Sequence, residues 1–122
     1  MGCYGRLMRP VAAFVAEYIA VFNTAVASGD YGPLLARYAD DAVLRFENVP
    51  PDAASLEFSG RQAIAEAYVQ NPPDDQIALT GDPASAGAHV TVAFAWLRDQ
   101  STGVLDFVLH GELISALTVI FG

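Results

Sequence analysis

Apolar residues recur with helical spacing near the start of the chain. They stand three, four, seven, eight and eleven positions after the first of them: Val11, Phe14, Val15, Tyr18, Ile19 and Phe22. This is the stripe of an amphipathic helix. The pattern predicts a helix that begins at Pro10 and ends at Ser28-Gly29-Asp30, where Gly29 can take the left-handed conformation that closes a helix.

Shorter periodic segments follow as far as residue 73. A second helix is predicted to start at Asp30, to carry Leu34, Leu35 and Tyr38, and to end at Asp40-Asp41. Two short strands, Val43–Glu47 and Leu56–Phe58, flank a turn-rich loop over residues 48–55. The sequence Ser59-Gly60-Arg61-Gln62 has the form of a capping box and predicts a third helix through Val69, which Asn71-Pro72-Pro73 ends.

Everything after residue 75 is predicted to be strand. The four expected strands are 76–80, 89–97, 104–109 and 112–121, with a two-residue turn at His110-Gly111 between the last two. Helices segregated from a mostly antiparallel sheet make an α+β fold. A curved sheet wrapped around three helices forms a cone, and the mouth of such a cone is a common place for a small-molecule site.

Composition narrows the function classes. The 122 residues suffice for one domain, taken as residues 10–122 after a loose tail over 1–9. The formal charge of -8 argues against nucleic acid and anionic membranes as partners. Cys3 is the one cysteine, and the start lacks the apolar run of a signal peptide, so a cytoplasmic protein is expected. The segment Val11–Val26, interrupted by Glu17, is interpreted as too short and polar to span a membrane.

Several of these segments resemble the SnoaL-like, ketosteroid-isomerase-like group of the nuclear transport factor 2-like superfamily. The resemblance rests on Phe22-Asn23, on Ser28-Gly29-Asp30, on residues 35–44, on Phe58-Ser59-Gly60-Arg61-Gln62-Ala63-Ile64 and on Glu112-Leu113-Ile114-Ser115. It implies a cone-shaped α+β barrel, usually a homodimer, whose pocket serves isomerases, polyketide cyclases, dehydratases, epoxide hydrolases and plain binders.

Two positions on the predicted inner wall bear on catalysis. Tyr18 lies on the inner stripe of the first helix, where the resembling isomerases use a tyrosine to hydrogen-bond a developing enolate oxygen. Phe46 stands where those isomerases carry an Asp base, and a phenyl ring cannot accept a proton. Glu47 is adjacent, but strand alternation turns it to the opposite face.

Asp106 is the carboxylate that the sequence singles out as a candidate acid or base. It interrupts an otherwise apolar strand, and a turn at His110-Gly111 would pair it with Ser115. The resemblance turns the set Leu113, Ser115, Leu117, Val119 and Phe121 into the cone, and Asp106 with it. Burial there would raise its pKa toward neutrality. The alternative is an Asp on the outer face, at a dimer contact.

The remaining candidates are ligand contacts. The residues expected to contact the substrate are Asn23, Phe46, Phe58, Tyr68, Phe94, Trp96 and Ser115. His89 could be an acid-base partner at the mouth, whereas His110 is expected to be solvated in its turn. The two histidines lack a metal-binding spacing, and no phosphate loop follows a strand, so no metal and no cofactor are expected.

Three functions fit these observations. The first is a cofactor-free isomerase or cyclase acting on an apolar carbonyl compound of polyketide, steroid or terpenoid type, with Tyr18 polarising the carbonyl and Asp106 moving the proton. The second is a binding or dimerisation module without catalysis, which the phenyl ring at Phe46 favours. The third and weakest is epoxide hydrolysis, for which Arg98-Asp99 is the nearest Arg-Asp pair.

Overall fold

The computed structural model describes residues 11–122. The predicted tail, Cys3 and the helix start at Pro10 lie outside the described residues. The helices are α1 (Val11–Ser28), α2 (Gly32–Leu35) and α3 (Arg61–Gln70). The strands are β1 (Tyr38–Val49), β2 (Ala54–Ser59), β3 (Ile77–Leu79), β4 (Ala84–Ala86), β5 (His89–Trp96), β6 (Thr102–His110) and β7 (Leu113–Phe121). The predicted α+β class is confirmed.

The strands form one curved, unclosed sheet. Its order is β2-β1-β7-β6-β5-β3, and β4 pairs with the other end of β5. The pairs are antiparallel except β1 with β7, which run parallel. The first half of the chain therefore supplies one side of the sheet and the second half the other, and β7 joins them.

Helix α1 provides most of the helical side of the core. Its buried residues are Phe14, Val15, Tyr18, Phe22 and Ala25, which confirms the predicted stripe. Phe14 and Tyr18 both contact the ring of Phe107 on β6, at centroid distances of 5.5 and 5.0 Å. By length and composition α1 could also cross a membrane, contrary to the sequence interpretation, but core helices of soluble proteins and signal sequences pass the same test.

The predicted second helix is wrong beyond Leu35. Tyr38 begins β1 instead of continuing α2, and its fully buried ring belongs to the core. Leu34 and Tyr38 are four residues apart, and a pair at that spacing cannot distinguish a helix from a turn leading into a strand. Asp40 and Asp41 lie within β1, where its register against β7 shifts between Tyr38 and Val43.

The start of α3 differs from the predicted capping box. Gly60 is the N-cap residue, at φ 91°, and no side chain caps the helix. Its N–H donates to the Ala42 carbonyl at 2.7 Å, and Arg61 donates to the Asp40 carboxylate and to the Tyr38 carbonyl. Ser59 is consequently the last residue of β2. The start of α3 is therefore tied to β1 by hydrogen bonds from Gly60 and Arg61, in place of a side-chain cap.

The β6–β7 hairpin has a different register from the one predicted. His110 pairs with Leu113, so the turn is Gly111-Glu112, with Gly111 at φ 64°. The pairing then slips by one residue at Ser115, between Leu109↔Ile114 and Val108↔Ala116. A slip of one residue reverses which face a side chain occupies relative to its partners. Ile114 is therefore buried, whereas Leu113 is exposed.

Candidate functional site

The concave face of the sheet and the helices enclose one large cavity of about 370 Å³. Its wall comes from α1, α3 and every strand except β4, together with the segment after α3. The lining residues are Tyr18, Phe22, Leu44, Phe46, Val49, Leu56, Phe58, Ala67, Tyr68, Asn71, Pro73, Ile77, Phe94, Trp96, Leu105, Leu117, Val119 and Phe121. No Asp, Glu, His or Arg of residues 11–122 is among them.

Aromatic rings surround the partly exposed end of the cavity. We call Phe46, Phe58, Phe121 and Trp96 the aromatic rim. Phe46 lies 6.3 Å from Phe58 at nearly a right angle and 6.4 Å from Phe121. Trp96 stacks on Phe121 at 6.3 Å. Each rim residue is half-buried and lines the cavity, so the rim lies between the cavity and solvent.

Tyrosine hydroxyls meet on the buried side of the cavity. The hydroxyl oxygens of Tyr38 and Tyr68 are 3.4 Å apart, and the Tyr18 hydroxyl interacts with both. We call these residues the tyrosine group. Tyr18 and Tyr68 line the cavity, whereas Tyr38 stands behind them. Tyr31 stacks on the Tyr68 ring at 4.9 Å and holds it in place. Tyr18 and Tyr68 thus add hydroxyl-bearing side chains to a wall in which Asn71 and Trp96 are the other residues with polar side-chain atoms.

Burial keeps the tyrosine group neutral. Burial raises the pKa of Tyr18 and Tyr38 well above the ordinary value, and the neighbouring tyrosines raise it further in Tyr38. Burial also raises the pKa of Tyr68, to about 12. No Arg or His of residues 11–122 lines the cavity to offset the cost of a phenolate there. The hydroxyls are therefore hydrogen-bond donors and acceptors at physiological pH, and they do not act as bases.

Asp106 lies outside the cavity, which corrects the predicted register. It pairs with Thr91 on one side and Thr118 on the other, and not with Ser115. Its neighbours along the strand, Leu105 and Phe107, point into the core, so Asp106 occupies the outer face. Ser115 is the residue at which the β7 register slips, and it does not line the cavity either.

His89 accompanies Asp106 on the outer face. Its Nδ1 is 3.4 Å from an Asp106 carboxylate oxygen, and its side chain is 60% exposed. His89 therefore does not lie at the mouth of the cavity, where the sequence predicted an acid-base partner. Arg98, considered for epoxide chemistry, is also outside the cavity and binds Asp74 at 3.2 Å.

Asn23 has a structural contact in place of the predicted ligand contact. Its amide nitrogen donates to the Ile77 carbonyl at 2.9 Å, and its amide oxygen accepts from the Ile77 N–H at 2.9 Å. Both ends of the side chain are thus used to hold β3, an edge strand, against α1. These two hydrogen bonds to the backbone give Asn23 a structural role near the end of the helix that requires no ligand.

Six of the nine predicted site residues do line the cavity: Tyr18, Phe46, Phe58, Tyr68, Phe94 and Trp96. The sequence reasoning missed the contribution of the segment after α3, where Asn71 and Pro73 reach the mouth. It used these residues as a helix stop alone. The available signal was the position of Asn71, three residues after the wall residue Tyr68 and therefore on the same side of the helix.

The described residues contain no group of three or more His, Cys, Asp or Glu side chains that could hold a metal ion. The acidic side chains lie on the surface of the described chain, with none buried.

Comparisons with known proteins identify the fold. No family model and no curated protein matches the chain. A protein from Kribbella flavida, proposed to be a ketosteroid isomerase, is 19% identical with a TM-score of 0.65, over 91% of this chain and 76% of that one. An NTF2-like protein of unknown function from Mesorhizobium loti is 21% identical with a TM-score of 0.62, over 94% and 96%. A proposed polyketide cyclase from Sinorhizobium meliloti is 17% identical with a TM-score of 0.59, over 84% and 93%.

These likenesses extend over most of the chain at low identity. The protein has the nuclear transport factor 2-like fold, as the sequence resemblance implied.

Proposed function

We propose that the cavity binds an apolar small molecule that carries one hydrogen-bonding oxygen. The observation that carries this proposal is the composition of the wall. Apolar and aromatic side chains make up most of it, and the hydroxyls of Tyr18 and Tyr68 provide fixed polar atoms on its buried side. Burying the ligand's apolar surface supplies most of the affinity, and the hydroxyls fix the position of its oxygen.

Binding is favoured over turnover because proton transfer needs a group that exchanges protons near neutral pH. Phe46 replaces a carboxylate on the wall, Asp106 faces away from it, and the tyrosine group stays protonated. Among the described residues, the wall can therefore donate hydrogen bonds to a ligand but has no side chain that accepts its proton.

A cavity-filling variant tests the proposal. The neutral fluorescent probe N-phenyl-1-naphthylamine is expected to bind the native protein and to gain fluorescence. Ala67→Phe fills the cavity from α3 and should weaken binding by at least about tenfold, ~1.4 kcal/mol. Ala65→Phe is the matched control, because Ala65 is also half-buried on α3 but does not line the cavity. Equal affinity of both variants would show that the probe binds elsewhere.

The second candidate is an isomerase or cyclase that polarises a carbonyl, the reading closest to two of the structural neighbours. The tyrosine donors on the buried side favour it, because one pre-set donor to an oxyanion is worth about 3–4 kcal/mol. The test is conversion of 3-cyclohexenone to its conjugated isomer, followed by ultraviolet absorbance. If the native protein catalyses this conversion, and if Tyr18→Phe loses the activity but still binds the probe, the isomerase candidate replaces the binding proposal.

We also propose that the protein is a homodimer formed through the outer sheet face. Half-buried apolar residues stand side by side there: Val43, Ala116 and Val108 in one row, and Val104 beside Ile120 in another. Sedimentation at micromolar concentration should give a species near twice the 12.9 kDa of the chain. A single species at the monomer mass would contradict the proposal.

A further inference from the structure

The aromatic rim is the part of the wall where aromatic rings are also partly exposed to solvent. An aromatic ring carries partial negative charge on its faces, so a cation that lies against a face is attracted to it. The rim places the rings of Phe46, Phe58, Phe121 and Trp96 along the cavity wall, with the centroids of neighbouring rings 6.3–6.4 Å apart. The buried part of the cavity also contains rings, those of Phe22 and Phe94 among them, but a charge placed there would be removed from water. A positive group is therefore favoured at the half-exposed rim and not deeper in the cavity.

The charges around the cavity act in the same direction. The arginines of residues 11–122 are Arg37, Arg45, Arg61 and Arg98, and each is paired with a carboxylate. None of them lines the cavity. The chain as a whole carries a formal charge of -8, and its potential attracts cations and repels anions.

Carboxylates also lie in the segments that form the entrance. Asp52 is in the exposed turn between β1 and β2, three residues after the wall residue Val49. Asp74 and Asp75 directly follow the wall residue Pro73. Arg98 pairs with Asp74, so Asp52 and Asp75 leave these segments with a net negative charge toward an approaching ligand.

The partial exposure of the rim lowers the desolvation cost of binding a cation there. Moving a full charge into a closed apolar cavity is costly unless the charge is paired. At the rim a cationic head keeps part of its water while its apolar body enters the cavity. A methylated ammonium group is suited to this position, because its charge is spread over methyl groups that also pack against the rings.

We propose that the cavity selects organic cations: an ammonium group with methyl or alkyl substituents at the aromatic rim, and an apolar body inside. This inference rests on the proposed function, since it concerns the ligand class of the same cavity. It predicts a preference for cation over neutral isostere over anion among ligands with the same apolar body.

Three matched ligands test the preference by isothermal titration calorimetry. They are (3-phenylpropyl)trimethylammonium, its carbon isostere with a tert-butyl group, and 4-phenylbutyrate. The cation should bind about tenfold more tightly than the isostere, and the carboxylate more weakly than both. Equal binding of cation and isostere, or carboxylate binding as tight as the cation's, overturns the inference. Loss of binding for all three, together with no response to Ala67→Phe, would instead overturn the proposed function.

Rim variants separate the ring effect from the general field. Trp96→Leu and Phe46→Leu keep an apolar side chain but remove a ring face, so the ratio of cation to isostere affinity should fall toward one. Leu56→Ala is the control, because Leu56 is an exposed, non-aromatic wall residue. It should weaken both ligands alike. An unchanged ratio of cation to isostere affinity in both ring variants would contradict the role of the rim. The melting temperature of each variant shows whether it is folded.

Salt provides an independent readout. Attraction by the net charge of the protein is screened as ionic strength rises, whereas contact with the rings is short-ranged. The preference for the cation should therefore decrease with added salt and then level off above one. A preference that vanishes at high salt would assign it to net charge alone and contradict the contact with the rim.

Discussion

The two faces of the curved sheet come from the same strands and differ in chemistry. On β6, Leu105 and Phe107 point inward and are buried, whereas Asp106 between them points outward and meets His89. On β1, Phe46 lines the cavity while its neighbour Arg45 pairs with Glu57 at 2.9 Å. The cavity wall is uncharged among the described residues, whereas the convex face carries these two polar pairs.

This difference shows why one residue of register decides the chemistry of the site. Alternation along a strand is strict, so each side chain belongs to one face or the other. A carboxylate moved by one position would enter the cavity as a candidate base. Asp106 stays outside because it alternates with the buried Leu105 and Phe107 along β6, whereas the slip at Ser115 affects β7.

The largest expected effect separates the faces at adjacent positions of β6. Phe107 is fully buried and contacts Phe14 and Tyr18, so Phe107→Ala should lower the free energy of unfolding by about 3–5 kcal/mol. Asp106→Ala should change it by less than about 1 kcal/mol, because its partner His89 is largely exposed. Urea unfolding of both variants measures this. Similar losses of unfolding free energy in the two variants would show that both faces of β6 contribute equally to stability.

The next effect concerns ionisation on the concave side. An unfolded Tyr68 loses its proton near pH 10, whereas the folded residue keeps it until about pH 12. The tighter proton binding by folded Tyr68 favours the folded state at full strength below pH 10. This contribution to the free energy of unfolding is lost as the pH rises from 10 to 12. The loss amounts to about 2–3 kcal/mol of unfolding free energy.

Urea unfolding between pH 7 and pH 12 tests the alkaline effect. Tyr68→Phe lacks this ionisable group, so its stability should fall less steeply than that of the native protein. Tyr18 and Tyr38 contribute a remaining slope of the same sign. Parallel curves for the native protein and the variant would contradict the burial of the Tyr68 hydroxyl.

The smallest expected effect again compares neighbours on opposite faces. A methyl group on Gly103 would stand 2.6 Å from the Ile120 carbonyl oxygen and 2.8 Å from the Phe94 ring. Gly103→Ala should therefore cost about 1–3 kcal/mol through overpacking and should displace Phe94, a wall residue. Val104→Ala, on the convex face, should cost less. Unfolding measurements that rank these variants in the reverse order would show that the Phe94 ring can yield without strain.

Much of the fold could be predicted from the sequence because its long elements have unambiguous periods. The stripe from Val11 to Phe22 marks α1, and the alternation of Val90, Val92 and Phe94 marks the inward face of β5. Short elements were less predictable. Tyr38 fits a helical spacing with Leu34, but contact with the core and pairing with Ile114 place it in a strand.

The aromatic composition of the cavity wall follows from the sequence, because Tyr18, Phe46 and Trp96 are inward positions of elements with clear periods. The polar groups at the cavity could not be predicted in this way. Folding brings the hydroxyls of Tyr38 and Tyr68 together across 30 positions, and β6 pairs Asp106 with Thr118 and not with Ser115. Periodicity is a local property, whereas register and the convergence of side chains depend on contacts between distant segments.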